Sequence, residues 1–254
     1  MNRIVFAITA LFGFIILSLF ACRKAIEVEE PCRILSFESY EKKWNGEYDT
    51  ITAKFNYDLR GNPTSIIFNR TTTGRPNYQF KYDQKGRLIS LAGLIPGTKF
   101  FEFYCLYQND GNTVVSDSFF FSGSDTSDLF KWTQNLFIGK YNFDDKGRMI
   151  EYDYDVYFPM SPNAAPVHDN VKYAYDQKGN RIIQGYTYDD KVNFFRTHPV
   201  LQLMNRDYSI NNPLPAVSYN RFGLPLTFDH TLPLPYNRAY FMNTAVSKIV
   251  YSCN

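Results

Sequence analysis

The side chains that could carry chemistry are few and scattered. The three histidines, His168, His198 and His230, lie far apart, and none has the i, i+4 spacing that lets a helix hold a metal. His168-Asp169 and Asp229-His230 are adjacent pairs, which point to opposite faces if the chain is extended. The chain has no Gly-x-Ser-x-Gly elbow and no phosphate-cradling glycine loop. Asp144-Asp145 and Asp189-Asp190 are the tempting carboxylate pairs, but both fall where the chain turns. Hydrolase chemistry needs two carboxylates at a set separation in space, which a sequence does not display. No metal, cofactor or catalytic residue is assigned. Trp44 (Lys42-Lys43-Trp44-Asn45-Gly46) and Trp132 (Phe130-Lys131-Trp132-Thr133-Gln134) stand in polar stretches. Each reads either as a ligand-contact ring or as core packing, because an indole has an apolar face and one polar tip. The Phe119-Phe120-Phe121 run is the next surplus aromatic feature.

Cysteine chemistry starts at the N-terminus. Met1-Asn2-Arg3 is basic, and Ile4 through Ala21 carries no charge. Such a run reads as a secretory signal or a membrane anchor. It ends in Leu19-Phe20-Ala21-Cys22, which resembles a bacterial lipobox, with Phe20 where a small residue is usual. On this reading residues 1–21 are a lipoprotein signal peptide, Cys22 is lipidated at its thiol (palmitate-type chains), and 22–31 is a flexible tether. The rival is a buried Cys22 in an uncleaved anchor. Acyl chains contribute about 0.8 kcal/mol per buried CH₂, so several anchor a protein stably. The expected location is the outer membrane, facing the periplasm or the cell surface. Cys32, Cys105 and Cys253 remain, and an oxidising compartment permits disulfides. Cys32–Cys253 is one pairing, Cys32–Cys105 another, and unpaired buried thiols the third.

Composition narrows the classes. The chain has 254 residues, of which 27 are basic and 25 acidic, for a net charge of +2. That balance argues against a partner made of nucleic acid, which demands a basic excess. Aromatic residues make up 18%, including 20 Tyr and 23 Phe. This argues against disorder and favours strands, where rings pack well on a pleated surface.

The elements that would position these residues are set by one repeated phrase. It stands as Phe55-Asn56-Tyr57-Asp58-Leu59-Arg60-Gly61-Asn62 and as Phe80-Lys81-Tyr82-Asp83-Gln84-Lys85-Gly86-Arg87. It returns as Tyr141-Asn142-Phe143-Asp144-Asp145-Lys146-Gly147-Arg148 and as Tyr173-Ala174-Tyr175-Asp176-Gln177-Lys178-Gly179-Asn180. Tyr219-Asn220-Arg221-Phe222-Gly223-Leu224 is a degenerate fifth copy. Aromatic-x-aromatic places two rings on one face of a strand. Asp opens a type I turn and accepts a backbone N–H two residues on. Gly takes the left-handed position and closes the hairpin as a bulge. Each copy therefore predicts one β-hairpin, at unequal intervals. Calcium binding by Asp-x-x-Gly lacks the spaced acidic set of a calcium loop. Asn109-Asp110-Gly111-Asn112 predicts a further hairpin turn. Alternation lapses between Asp189 and Pro213, where Pro199–Asn205 predicts a short helix or a plain loop. As a plug or lid over a curved sheet, such a helix would bury Val200, Leu203 and Met204.

The phrase resembles the YD repeat of RHS-type proteins. With the lipobox, Tyr186–Phe195 and Ser209-Ile210-Asn211-Asn212-Pro213, residues 33–252 resemble the uncharacterised YD-repeat lipoproteins of Bacteroidota. The resemblance implies a single antiparallel, porin-like β domain and an envelope location, and no activity. Asp49-Thr50-Ile51 looks like the O-glycosylation signal of these bacteria, with Thr50 as acceptor. The fold expected over 32–254 is all-β: a meander of hairpins forming a curved sheet or partly closed barrel, with at most one short helix near 199–206. A membrane-spanning barrel suits the alternation, but charged residues beside the strand aromatics would be costly facing lipid. The function expected is a lipid-anchored, non-catalytic binding or structural module, whose partner is a glycan or an envelope protein. The alternative is a glycan-acting hydrolase with an unrecognised carboxylate site.

Overall fold

A computed structural model describes residues 32–42, 46–161, 163–185, 187–213, 216–228 and 246–253. Cys22 and Trp44 lie outside the described residues, as does His230. Ten strands follow one another as a meander: β1 (Arg33–Lys42), β2 (Tyr48–Tyr57), β3 (Pro63–Phe68), β4 (Asn77–Tyr82), β5 (Leu88–Leu94), β6 (Phe101–Asp110), β7 (Thr113–Gly123), β8 (Thr133–Phe143), β9 (Met149–Tyr157) and β10 (Val167–Lys172). The chain then leaves the sheet and returns on the far side of β1 as β11 (Ser218–Tyr219), β12 (Pro225–Thr227) and β13 (Val246–Ser252). All thirteen form one antiparallel sheet in the order β10-β9-β8-β7-β6-β5-β4-β3-β2-β1-β13-β12-β11, with β10 and β11 as its open edges. The first and last strands are neighbours, and a Cys32–Cys253 disulfide joins their ends across 221 positions of sequence. Cys105 is a buried free thiol.

Period-two alternation sorts the side chains. In β2, Ile51, Ala53 and Phe55 are buried, whereas Thr50, Lys54 and Asn56 face out. The buried faces of the strands meet a short helical insert made of a 3₁₀ turn (Phe194–Thr197) and a helix. Magnitudes show that the sheet is curled. β9 and β12 stand ten steps apart in the strand order, about 48 Å if flat at ~4.8 Å per step. Yet one insert reaches both: Phe194 packs on Phe228, just after β12, and Arg206 lies 3.9 Å over the Tyr152 ring of β9. A seven-residue helix is only about 10 Å long, so the sheet must wrap around it.

Two helices occur among the described residues. α1 (Leu129–Trp132) is a single turn capped by Asp128 and was not expected from the sequence. It covers a small cluster on the outer face, where Phe130 meets Phe120 edge-on at 4.9 Å. α2 (Pro199–Asn205) is the plug helix, with Pro199 in its first turn and Val200, Leu201, Leu203 and Met204 buried. The fourth phrase departs from the expected hairpin. After its turn the pairing shrinks to a single bridge, Tyr175 with Arg181, because the following residues enter the insert instead of returning as a strand.

Candidate functional site

The repeated phrase builds one rim of the sheet. In all five copies the Gly N–H donates to the carbonyl of the opening Asp or Asn at 3.0 Å. The opening side chain then accepts backbone N–H groups: Asp58 from Arg60 and Asn62, Asp83 from Lys85 and Arg87, Asp144 from Lys146 and Arg148, Asp176 from Asn180, and Asn220 from Phe222 and Leu224. The ladder slips by one residue just before the turns of β2–β3, β4–β5 and β8–β9, the bulge that the glycine closes. The hydrogen bonds from Arg87 hold the Asp83 carboxyl below the usual carboxylate range. At Asp144, desolvation pushes up, but Arg148 outweighs it and the net shift is down. Asp58 behaves in the same way, with bonds from Asn62 and Arg60 outweighing desolvation. Carboxylates held so firmly ionised serve the turn and are poor general acids.

Successive turns are stapled to one another. The Tyr hydroxyl of one hairpin donates to the first carbonyl after a neighbouring turn: Tyr82 to Pro63, Tyr175 to Met149 and Tyr251 to Pro225, each at 2.9 Å. Tyr57 donates to the Ile34 carbonyl at the start of β1, at 2.8 Å. Arginines add a second staple. Arg60 donates to the Gln84 carbonyl, Arg87 to the Gly111 carbonyl, and Arg148 stacks 4.3 Å over Tyr175. Gly61 has φ +86°, a backbone conformation that favours glycine, while a Cβ there would meet only the movable end of the exposed Arg33 side chain.

The staple pattern breaks at two copies: Tyr219 of the fifth donates to the Asp189 carboxylate instead of a turn carbonyl, and the third lacks the hydroxyl. Phe143 stands where the other copies carry Tyr, and the β6–β7 turn intervenes; Asn109 caps the Leu88 carbonyl instead, at 2.9 Å. Here a cleft of about 690 Å³ opens between the second turn, the β6–β7 turn, the third turn and the start of α2. Tyr82, Phe143 and Tyr208 supply rings, and Leu88, Val114, Val200 and Leu203 supply an apolar lining. His198 lines the cleft and caps α2, its Nδ1 accepting from Val200 N–H at 3.2 Å, which places the proton on Nε2. Burial drops its pKa to about 4, so the ring is neutral. Arg87 and Asp144 line the cleft but are neutralised by Asp83 and Arg148, each at 2.6 Å. Lys85 and Asp145 are the remaining charges, of opposite sign, on two different turns.

A second polar centre is buried on the inner face. Asp117 is 4% exposed and accepts the hydroxyls of Tyr141 and Tyr152. Burial raises its pKa, against the pull of Tyr141 and Arg206. Burial, and then the Asp117 charge, push the Cys105 thiol up, so it is inert rather than nucleophilic. This centre was not expected from the sequence. Period two would have found it, since Asp117 shares the face of buried Phe119.

The other singled-out residues fall outside the cleft. Trp132 is half-exposed on α1, with Lys131 Nζ 4.7 Å from its ring centre, at the end of β8 away from the turns. Thr50 is exposed on β2. His168 bridges Asp153 and Asp155 on the exposed edge ribbon β9–β10. Asp189 accepts from Tyr219, Lys191 and Asn212, so it holds the insert in place, whereas Asp190 is exposed beside Lys191. The three phenylalanines divide: Phe119 faces the inner core, Phe120 the outer cluster, and Phe121 is half-exposed. Among the described residues no group of three or more His, Cys, Asp or Glu is placed to hold a metal ion. No helix among them is long and apolar enough to cross a membrane.

No family model matches this chain, and no curated protein matches it.

Proposed function

We propose that this is a lipid-anchored envelope protein of the YD-repeat lipoprotein kind, whose β domain is a non-catalytic binding module. The observation that supports binding over hydrolysis is the state of the carboxylates in the cleft. Asp144 and Asp145 are consecutive in one turn, and Asp144 is consumed by Arg148 and two backbone N–H groups. A glycoside hydrolase needs two carboxyl groups facing each other across about 5–9 Å of substrate, one of them with a raised pKa. Asp144 is held ionised within its own turn and is a poor general acid, while the rings and neutral polar groups of the cleft suit recognition.

Two measurements test this reading. Cells fed an alkyne-tagged fatty acid should label the protein through Cys22, and Cys22→Ala should abolish labelling; full labelling of the variant would refute the anchor. Incubating the purified protein with oligosaccharides should release no shortened products. Products that disappear in Asp145→Asn would instead establish the hydrolase reading.

A further inference from the structure

The cleft has a chemistry of its own, and the ligand inferred from it rests on the binding-module reading. Its three rings do not belong to one strand. Tyr82 ends β4, Phe143 ends β8, and Tyr208 follows α2, with Phe143 and Tyr208 edge-to-face at 5.9 Å. Tyr208 is half-buried and lines the cleft. His198 Nε2–H and the exposed Asn112 amide add a donor and a mixed donor–acceptor to the same cleft.

Charge decides what the cleft prefers. Arg87 and Asp144 are neutralised inside their own turns, and Lys85 and Asp145 oppose one another. Neither an anion nor a cation gains a net field there. An uncharged ligand with an apolar C–H face and a hydroxyl edge satisfies both the rings and the neutral polar groups, and that description is a pyranose. We propose that the cleft between the second and third turns binds a neutral oligosaccharide, with Phe143 and Tyr208 against its sugar faces and His198 and Asn112 on its hydroxyls.

The test titrates the full lipidated protein, in detergent, with neutral hexasaccharides (α-glucan, β-glucan, mannan, xylan) and with sulfated and uronate-bearing ones, by calorimetry. At least one neutral probe should bind, and charged probes should bind more weakly. Tyr208→Phe removes only a hydroxyl and should weaken binding by about tenfold or less. Asn112→Trp fills the mouth from an exposed position that does not threaten folding, and should abolish binding at an unchanged melting temperature. Silence across the neutral probes overturns the inference, as does binding that both variants leave intact, or tighter binding of the charged probes. Product release blocked by Asn112→Trp would support the cleft and overturn the non-catalytic reading alone.

Discussion

The turn rim and the insert at 188–212 hold the same sheet by opposite means. At the rim each turn is closed locally, by an Asp or Asn that binds N–H groups two and four residues ahead, and single exposed or half-buried staples join it to the next hairpin. In the insert the contacts are buried and interlocked. Asn211 N–H donates to Asn180, Asn212 reaches Asp189, Asn193 donates to Asp207, and the Ser209 hydroxyl accepts Arg181 N–H. Asn193, Asp207, Ser209 and Asn212 are all nearly inaccessible. A local turn can be lost and leave its neighbours standing. A buried network cannot lose one member without stranding others. The insert is therefore the more fragile region, although the rim is the more conspicuous one.

The largest expected effect falls on the insert. Asn193→Ala removes a donor to Asp207 and the acceptor for Phe195 N–H, leaving a buried carboxylate short of a partner. It should cost about 3 kcal/mol or more, read from urea unfolding. At the rim, two glycines sharpen the contrast. Gly61→Ala meets both a positive φ and the Arg33 guanidinium, whereas Gly147→Ala meets the positive φ alone. The exposed Arg33 side chain can swing aside, so each should cost about 1 kcal/mol, well below Asn193→Ala. A cost at either glycine as large as that of Asn193→Ala would remove the contrast between rim and insert.

Acid should weaken both regions, over different pH windows. The rim carboxylates Asp58, Asp83 and Asp144 have folded pKa values below the ordinary carboxylate range. Their contribution is present above about pH 4 and is lost as the pH falls through those lower values. His198 has a folded pKa of about 4 against an ordinary 6.5. Its contribution is complete above about pH 6.5 and drains away as the pH falls towards 4. His198→Asn keeps a helix-capping side chain and should flatten that window. Asp117 runs the other way. Its raised pKa favours folding below about pH 4, and that contribution is lost as the pH rises through the folded value. Asp117→Asn should therefore be neutral or stabilising at pH 7. The smallest effect belongs to Trp132→Ala, which should leave oligosaccharide affinity unchanged, since the ring lies outside the cleft.

The same contrast explains what could be read from residues alone. The hairpins at Asp58, Asp83 and Asp144 were legible because each turn is fixed by side chains within five positions of one another. The plug helix was legible through Pro199 and the apolar spacing of Val200, Leu203 and Met204. The hairpin expected at Asp176 ends in one bridge because Asn180 and Arg181 bind residues some thirty positions later, which no local pattern announces. The cleft was illegible for a related reason. Its rings come from β4, β8 and the residue stretch after α2, and only the curl of the sheet unites them. The tyrosine absent at Phe143 was visible, but its meaning depended on knowing what the other tyrosines bind.

The central claim is that the phrase residues hold the fold while the cleft beside the third copy binds the ligand. The most direct measurement is an oligosaccharide titration of Asp176→Ala, which loses the turn bond to Asn180 in a copy that does not line the cleft. The expected result is a lowered melting temperature with the affinity of the folded protein within about twofold of the unaltered chain, since well-separated sites are additive to within ~0.5 kcal/mol. Loss of binding at an unchanged melting temperature would contradict it, because the turns themselves would then be the binding surface.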